Sequence, residues 1–203
     1  MNELRQARAW TSHDRLIRSA ARIFDRDGYA FSTLQDICAE ALMSKGALYF
    51  HFPEGKRTLA DAVEGLALDE VRRVLHGTSA GSAAQRLIDG SHALATAVER
   101  DVVVRAGFVL GCDRARRGAA TAYRAWRDFV RHALDAACAE GVTTTDAATA
   151  AEPVITTMPL LAVLADLPAV EPAAWWRLIL PQLVTAAALP TLTPTPSADA
   201  APG

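Results

Sequence analysis

The stretch from Thr33 to Lys56, TLQDICAEALMSKGALYFHFPEGK, constrains the fold more than any other part of this chain. Leu34, Ile37 and Ala41 recur at the spacing that puts apolar side chains on one face of a helix. Ser44 can begin a second helix three residues later, because its hydroxyl can accept a hydrogen bond from a free amide of the first turn. Two short helices joined by a tight turn are typical of a helix-turn-helix, whose second helix enters the major groove of DNA.

The residues of the second helix suit such an approach. Ser44 caps it, Gly46 and Ala47 are small enough for close contact with base edges, and Lys45 can reach a guanine or a phosphate. Tyr49 and His51 can donate to phosphate oxygens, as can Thr33 and Lys56 from neighbouring helices. Each residue also has an ordinary structural alternative, such as packing for Tyr49. The candidate DNA-binding residues are Thr33, Ser44, Lys45, Gly46, Ala47, Tyr49, His51 and Lys56.

The remaining periodicity predicts an all-α protein. We expect an N-terminal three-helix DNA-binding domain at 1–55, with a flexible arm at 1–10, a helix capped by Thr11 or Ser12, and a stop at Asp27-Gly28. A larger helical ligand-binding and dimerisation domain is predicted at 56–189, and a disordered tail at 190–203. The predicted helices after the first three span about 56–76, 82–100, 102–115, 118–140, 146–165 and 171–189.

Composition narrows the class of protein. The net charge is −2, so DNA contact must come from a local basic patch. Cys38, Cys112 and Cys138 form no metal-binding pattern and are interpreted as small buried hydrophobes, so neither a metal nor a cofactor is predicted. We see no signal peptide or membrane span and expect a cytoplasmic protein. No catalytic motif is present, so the chain is not predicted to be an enzyme, although a small-molecule carrier or enzyme without DNA binding is the remote alternative.

The segments RLIRSAARIFDRDGY, TLQDICAEA and SKGALYFHF resemble the DNA-binding domain of TetR-type transcriptional repressors over residues 12–60. Those proteins usually have glycine in the turn where this chain has Leu42, which predicts strain if the backbone there is left-handed. VVRAGFVL (103–110), TAYRAWRDF (121–129) and YFHF are similar to the γ-butyrolactone autoregulator receptors of streptomycetes. The resemblance implies that Trp126 borders a hormone pocket.

The second half also has more apolar side chains than a dimer seam requires, so some of them can line a cavity, although ordinary core packing is the alternative for each one except Trp126. The candidate ligand-binding residues are Phe108, Trp126, Phe129, Val130, Thr157, Met158 and Leu161.

The predicted function is a repressor that binds a palindromic double-stranded DNA operator as a homodimer. A small γ-butyrolactone-like inducer would release it, and a furan, a butenolide or an antibiotic remains an alternative ligand. The last two helices are expected to form the dimer seam, with Trp175 or Trp176 as an anchor.

Overall fold

Helix-forming residues dominate the chain, and the computed structural model of the protein is correspondingly all-α. It describes residues 2–78, 81–112, 121–144, 146–163 and 171–197. In these ranges the helices are α1 (Asn2–Phe31), α2 (Leu34–Ala41), α3 (Lys45–His51), α4 (Lys56–His76), α5 (Ala83–Arg100), α6 (Val102–Cys112), α7 (Ala122–Ala139), α8 (Ala147–Val163) and α9 (Pro172–Leu183). The predicted fold class is confirmed. No helix in these ranges is long and apolar enough to span a membrane.

The chain divides into two compact units. Unit 1 comprises Met1–Asp69 and Asp101–Ala122, and unit 2 comprises Glu70–Arg100 and Tyr123–Gly203. This division differs from the boundary expected after residue 55, because most of α4 and all of α6 group with the N-terminal helices. The start of the helix predicted at 118–140 lies outside the described residues, which resume at 121.

The core of unit 1 holds α1, α2, α3, α4 and α6 together. Its buried members come from the inward faces that the helical spacing predicts, and α6 adds Val103, Ala106 and Leu110. Leu16, Phe24, Ile37, Leu48 and Leu59 are completely buried. Removing this apolar surface from water is what fixes the short helices α2 and α3, which are too short to be stable alone.

Besides these core residues, two further contacts fix α6 within unit 1. The Arg105 guanidinium donates from Nε and Nη2 to the Asp25 carboxylate on α1, at 2.9 and 2.8 Å. That hydrogen bond raises the pKa of Arg105 above its ordinary value. On another face of α6, a Cβ added to Gly107 would lie 2.2 Å from the Cβ of Ala67 on α4. Glycine at 107 therefore allows α4 and α6 to approach more closely than two side chains would permit.

The first helix begins earlier than expected. α1 starts at Asn2, so residues 2–10 continue the helix that was predicted to begin at Thr11 or Ser12. The segment Glu3-Leu4-Arg5-Gln6-Ala7 contains only good helix formers, and no breaker precedes Thr11, so the sequence has nothing to stop the helix there. The predicted stop at Gly28 corresponds to a kink inside α1, because the Gly28 backbone is non-helical at φ 71° and ψ 169° and a separate short turn of helix follows it to Phe31.

Leu42 adopts the left-handed conformation anticipated for the turn between α2 and α3. Its φ is 52° and ψ 45°, and its amide donates to the carbonyls of Ala39 and Cys38 to close α2. The side chain is 87% exposed, so no packing offsets the steric cost of a Cβ in this region.

Replacing Leu42 with glycine is therefore expected to stabilise the protein by about 1 kcal/mol, because glycine adopts this conformation without the Cβ clash. Urea unfolding of the full chain measures the change. Leu42→Ala is the matched control, since it removes the exposed side chain but keeps the Cβ and the strain. A gain of equal size in both variants would mean that the strain is not the cause.

Unit 2 is organised around α5. Trp176 on α9 is completely buried, and its Nε1 donates to Ser91 Oγ on α5 at 2.6 Å. α9 ends at Leu183 and not near 189, because Val184 pairs with Thr143 as an isolated antiparallel bridge. The amide of Thr185 donates to Val142 at 2.8 Å in the same pairing. These backbone bonds take the residues after Leu183 out of the helix.

The prediction of a disordered tail at 190–203 is wrong for its described part. A short 3-10 helix spans Leu189–Thr191, and Leu192 is buried. The buried Asp89 carboxylate on α5 accepts from the Ser197 hydroxyl and amide at 2.6 and 3.0 Å, while Gln85 exchanges hydrogen bonds with Thr193. The composition of this segment does not indicate its order, because specific hydrogen bonds to buried polar groups hold it in position and no apolar face is needed.

The cysteines follow the prediction only in part. Cys38 is a buried free thiol whose pKa is raised by burial. Cys138 is free and exposed, so its interpretation as a buried hydrophobe is wrong. It lies on the outer face of α7, next to buried Ala137. The side chain of Cys112 lies outside the described residues.

Candidate functional site

The short helix α3 is fixed at both ends. Ser44 has an extended backbone, and its Oγ accepts from the amide of Ala47 at 3.2 Å, which confirms the predicted cap. The amide of Phe52 donates to Leu48 to close the other end. Leu48 and Phe52 are buried in unit 1, and this burial turns the rest of the helix toward solvent.

The outward face of α3 has small residues in its first turn. Lys45 and Gly46 are exposed, and Ala47 is half-buried. A Cβ added at Gly46 would meet only Ser44 Oγ, at 3.8 Å, and the backbone there needs no positive φ. Neither packing nor backbone conformation within the chain therefore requires glycine at this position. A partner that approaches the helix closely is a physical reason for its presence.

Tyr49 and His51 flank that face. Tyr49 is 48% exposed, and its ring lies beside Gly55, where an added Cβ would be 3.6 Å from Cε1. The His51 ring lies 5.9 Å from that of His13 on α1, and His13 stacks on Phe52 at 4.9 Å. Burial and the neighbouring His13 lower the pKa of His51. The imidazole ring carries at least one N–H that can donate in either protonation state.

Two other candidates already have partners within unit 1. The Thr33 hydroxyl caps α2 by accepting from the Asp36 amide at 3.1 Å and donates to the Asp36 carboxylate at 2.6 Å. Lys56 donates to the Ser32 carbonyl at 2.6 Å, and its ammonium lies 4.4 Å from the centre of the Tyr29 ring. A phosphate contact from either residue would have to share these groups and stays a prediction.

One outward residue of α3 was missed. Phe50 is 79% exposed and lies one helical turn after Gly46. The sequence contained the signal, because Leu48 and Phe52 fill the inward face and leave Phe50 on the outer one.

The candidate effector residues centre on α7. Trp126 is completely buried, and its ring stacks on Phe129 with 5.8 Å between ring centres. A Cβ on Gly90 of α5 would lie 2.4 Å from Cζ of Phe129, so that ring lies directly against the α5 backbone. The structure thus brings Trp126 and Phe129 together, with Val130 buried on the same helix.

The indole of Trp126 already has a partner. Its Nε1 donates to the carbonyl of Ile155 on α8, at 3.3 Å. Residue 159, four positions after Ile155, is a proline and has no amide hydrogen to close the helical bond to that carbonyl. Trp126 therefore satisfies an acceptor that the sequence of α8 leaves open.

The remaining candidates are distributed over both units. Phe108 is buried on α6 in unit 1, whereas Thr157 is half-buried on α8 in unit 2. The side chains of Met158 and Leu161 lie outside the described residues. Trp175 and Trp176 contact each other edge to face at 4.8 Å, and both are buried against their own chain, so neither is the exposed anchor expected at a dimer seam. Among the described residues, no group of three metal-ligating side chains could hold an ion.

Several known proteins are similar to this chain in sequence. Residues 16–63 match the family of bacterial regulatory proteins called the tetR family. The A-factor receptor protein of Streptomyces griseus is 31% identical over 131 residues, which cover 64% of this chain and 46% of that protein. The chain spans less than half the length of the curated relatives it matches.

Solved structures agree over most of the chain. A γ-butyrolactone receptor described as ArpA-like superposes with a TM-score of 0.78 at 25% identity, covering 91% of this chain and 93% of the other. CprB of Streptomyces coelicolor, solved with its biological operator sequence, gives 0.78 at 26% identity over 91% and 94%. The chain thus has the TetR fold with an N-terminal helix-turn-helix, and it resembles the γ-butyrolactone receptors.

Proposed function

We propose that this chain is a transcriptional repressor that binds a palindromic operator and is released by a small γ-butyrolactone-like molecule. The DNA-binding part of this proposal depends on one observation: Gly46 is exposed, and no contact or backbone angle within the chain requires glycine at this position. Base pairs in close contact with α3 would leave no room for a side chain at position 46, and would therefore require glycine there. The match of residues 16–63 to a family of regulators supports the same assignment. The proposal implies a cytoplasmic protein, because its target is genomic DNA.

A palindromic operator requires a two-fold protein whose recognition helices lie about 34 Å apart, or a multiple of that distance. We propose α8 and α9 as the dimer seam. On α9, Leu178 is 70% exposed while both tryptophans face inward, so Leu178 is the apolar side chain that a second copy would cover. Sedimentation of the full chain gives the oligomeric state, and a monomer at the concentrations that bind DNA would contradict the two-fold arrangement.

The proposed effector chemistry follows from Trp126. A γ-butyrolactone offers an ester carbonyl that accepts a hydrogen bond and an alkyl portion that prefers apolar surroundings. The Trp126 indole is a donor among apolar neighbours, as such a ligand needs. Because Ile155 already accepts that hydrogen bond, a lactone carbonyl would compete with α8 for the indole. Binding would therefore change the contact between α7 and α8.

Release of DNA requires this change to reach unit 1. α4 begins in unit 1 and continues past Glu70 into unit 2, so a displacement in unit 2 can act on the N-terminal helices through a continuous element. A ligand shifts this equilibrium only if it binds the two states with different affinity. Coupling between two such sites is typically about 1–3 kcal/mol.

The DNA-binding half is tested by selecting duplexes from a random library with the full chain. We expect a palindromic consensus whose affinity falls steeply with salt, because phosphate contacts release counterions. Failure to enrich any duplex would contradict the proposal.

Replacing Gly46 with alanine should separate stability from function. We expect the free energy of unfolding to rise by about 0.5–1 kcal/mol, because alanine is the better helix former. The affinity for the selected operator should fall about tenfold or more. Gly65→Ala is the matched control, since Gly65 is an exposed glycine of α4 with open space around it. It should gain stability and keep its affinity. If Gly46→Ala bound the operator as tightly as the wild type, close approach at this position would be excluded.

The effector half is tested on the same operator with synthetic γ-butyrolactones, and with furans and butenolides in parallel. We expect a γ-butyrolactone to weaken operator binding at least about fivefold, the lower end of typical coupling. Equal operator affinity with and without every lactone would refute this effector class, and release by a furan or butenolide alone would reassign it.

A further inference from the structure

The outward face of α3 combines an open position with an exposed aromatic ring. Gly46, Ala47 and Phe50 are spaced three and four residues apart, so they share one face of the helix. Phe50 is 79% exposed, whereas Leu48 and Phe52 on the opposite side are buried. The face is thus bare in the first turn and carries a phenyl ring in the next.

Exposure of a single apolar side chain is common on protein surfaces and does not define a site by itself. The position of Phe50 is what matters. Its ring follows Gly46, a position where the chain itself does not require glycine. Lys45 and Tyr49, four residues apart, add a cation and a hydroxyl along one edge of the same face. A surface with a cation, a hydroxyl and an exposed apolar ring is complementary to a polyanion that also presents an apolar group.

Duplex DNA has one such group in the major groove, the C5-methyl of thymine, which apolar side chains including phenylalanine contact. Phe50 lies four residues beyond Gly46, or about 6 Å along the helix axis. Base pairs are stacked about 3.4 Å apart. Because this spacing exceeds one base-pair step, the ring and Gly46 would face different base pairs if α3 lay along the groove.

We propose that Phe50 is a specificity-determining residue that selects thymine in each half-site by packing its ring on the C5-methyl group. This inference rests on the proposed operator binding and adds the base that one side chain reads. Lys45 and Tyr49 would position the helix on the backbone, while Phe50 would distinguish thymine from the other bases at one symmetric pair of positions.

The experiment uses the operator selected from the random library by the full-length wild-type protein. Each symmetric pair of thymines is replaced in turn with deoxyuridine, which keeps base pairing and removes only the methyl group. Binding is measured by fluorescence anisotropy at constant salt for the wild type, Phe50→Ala and Phe31→Ala. Phe31 is the matched control, because it is an equally exposed phenylalanine of unit 1 at 84%, located at the end of α1.

We expect deoxyuridine at one symmetric pair to weaken wild-type binding about fourfold per half-site, or about 15-fold for both, the effect of removing one buried methyl group from each contact. Phe50→Ala should lose this sensitivity and Phe31→Ala should keep it. The inference is overturned if no thymine pair is sensitive in the wild type, or if Phe50→Ala remains as sensitive as the wild type. A wild type that selects no duplex would instead refute the proposed function itself.

Discussion

Replacing Gly107 with alanine should lower the free energy of unfolding by about 1–3 kcal/mol, the usual cost of adding a methyl group to a packed core. The new Cβ would lie 2.2 Å from Cβ of Ala67, well inside the contact distance of two carbons. A methyl group on alanine has no rotamer that moves it away, so the backbones of α4 and α6 must separate. Alanine is the better helix former by about 1 kcal/mol, but that gain is smaller than the cost of the clash.

Urea unfolding of the full chain measures this effect, and Ala67→Gly supplies its control. Ala67→Gly alone should cost about 1 kcal/mol through helix propensity. Combined with Gly107→Ala, it removes the opposing methyl group, so the double variant should recover most of the lost stability. Additive losses in the double variant would show that the two positions are not coupled and that the close approach of α4 and α6 is not the cause.

Replacing Trp126 with alanine should have the largest effect in unit 2, a loss of about 3–5 kcal/mol in stability. Trp126 is completely buried and stacked on Phe129, so its removal leaves a cavity that Phe129 fills only in part. The loss of the indole also leaves the carbonyl of Ile155 without its donor. Urea unfolding monitored by circular dichroism is the appropriate measurement.

Trp126→Phe separates packing from effector binding. It keeps an aromatic ring against Phe129 and removes the N–H that the proposal assigns to the lactone. We expect it to bind the operator and to lose release by a γ-butyrolactone. Trp176→Phe is the matched control, because Trp176 is equally buried and its indole donates to Ser91 instead. Normal release of the Trp126→Phe variant would remove the indole from the effector site.

Local rules predicted the helix-turn-helix well. The apolar spacing of α2, the cap at Ser44 and the helix break at Gly28 depend on residues within one turn of each other, and all three are present. The left-handed backbone of Leu42 also followed from a local comparison. These features are encoded over a few residues, so sequence patterns are sufficient to find them.

Packing between distant segments was not predictable in this way. The grouping of α6 with α1 depends on Arg105 meeting Asp25, 80 residues earlier, and on a glycine facing an alanine of α4. Neither residue pair forms a pattern along the chain. The prediction of the candidate effector site was incomplete for the same reason. The acceptor of the Trp126 indole is a backbone carbonyl on another helix, where a proline lacks the amide hydrogen that would otherwise bond to it.

The hydrogen bonds between α5 and residues 193–197 have a practical consequence for anyone shortening this protein. A truncation after Val184 would discard a segment that composition alone suggests is dispensable. It would uncover Leu192's packing site and leave the Asp89 carboxylate without Ser197. Water would then enter beside α5, and a crystallisation variant trimmed for rigidity would gain a wetted apolar surface prone to aggregation.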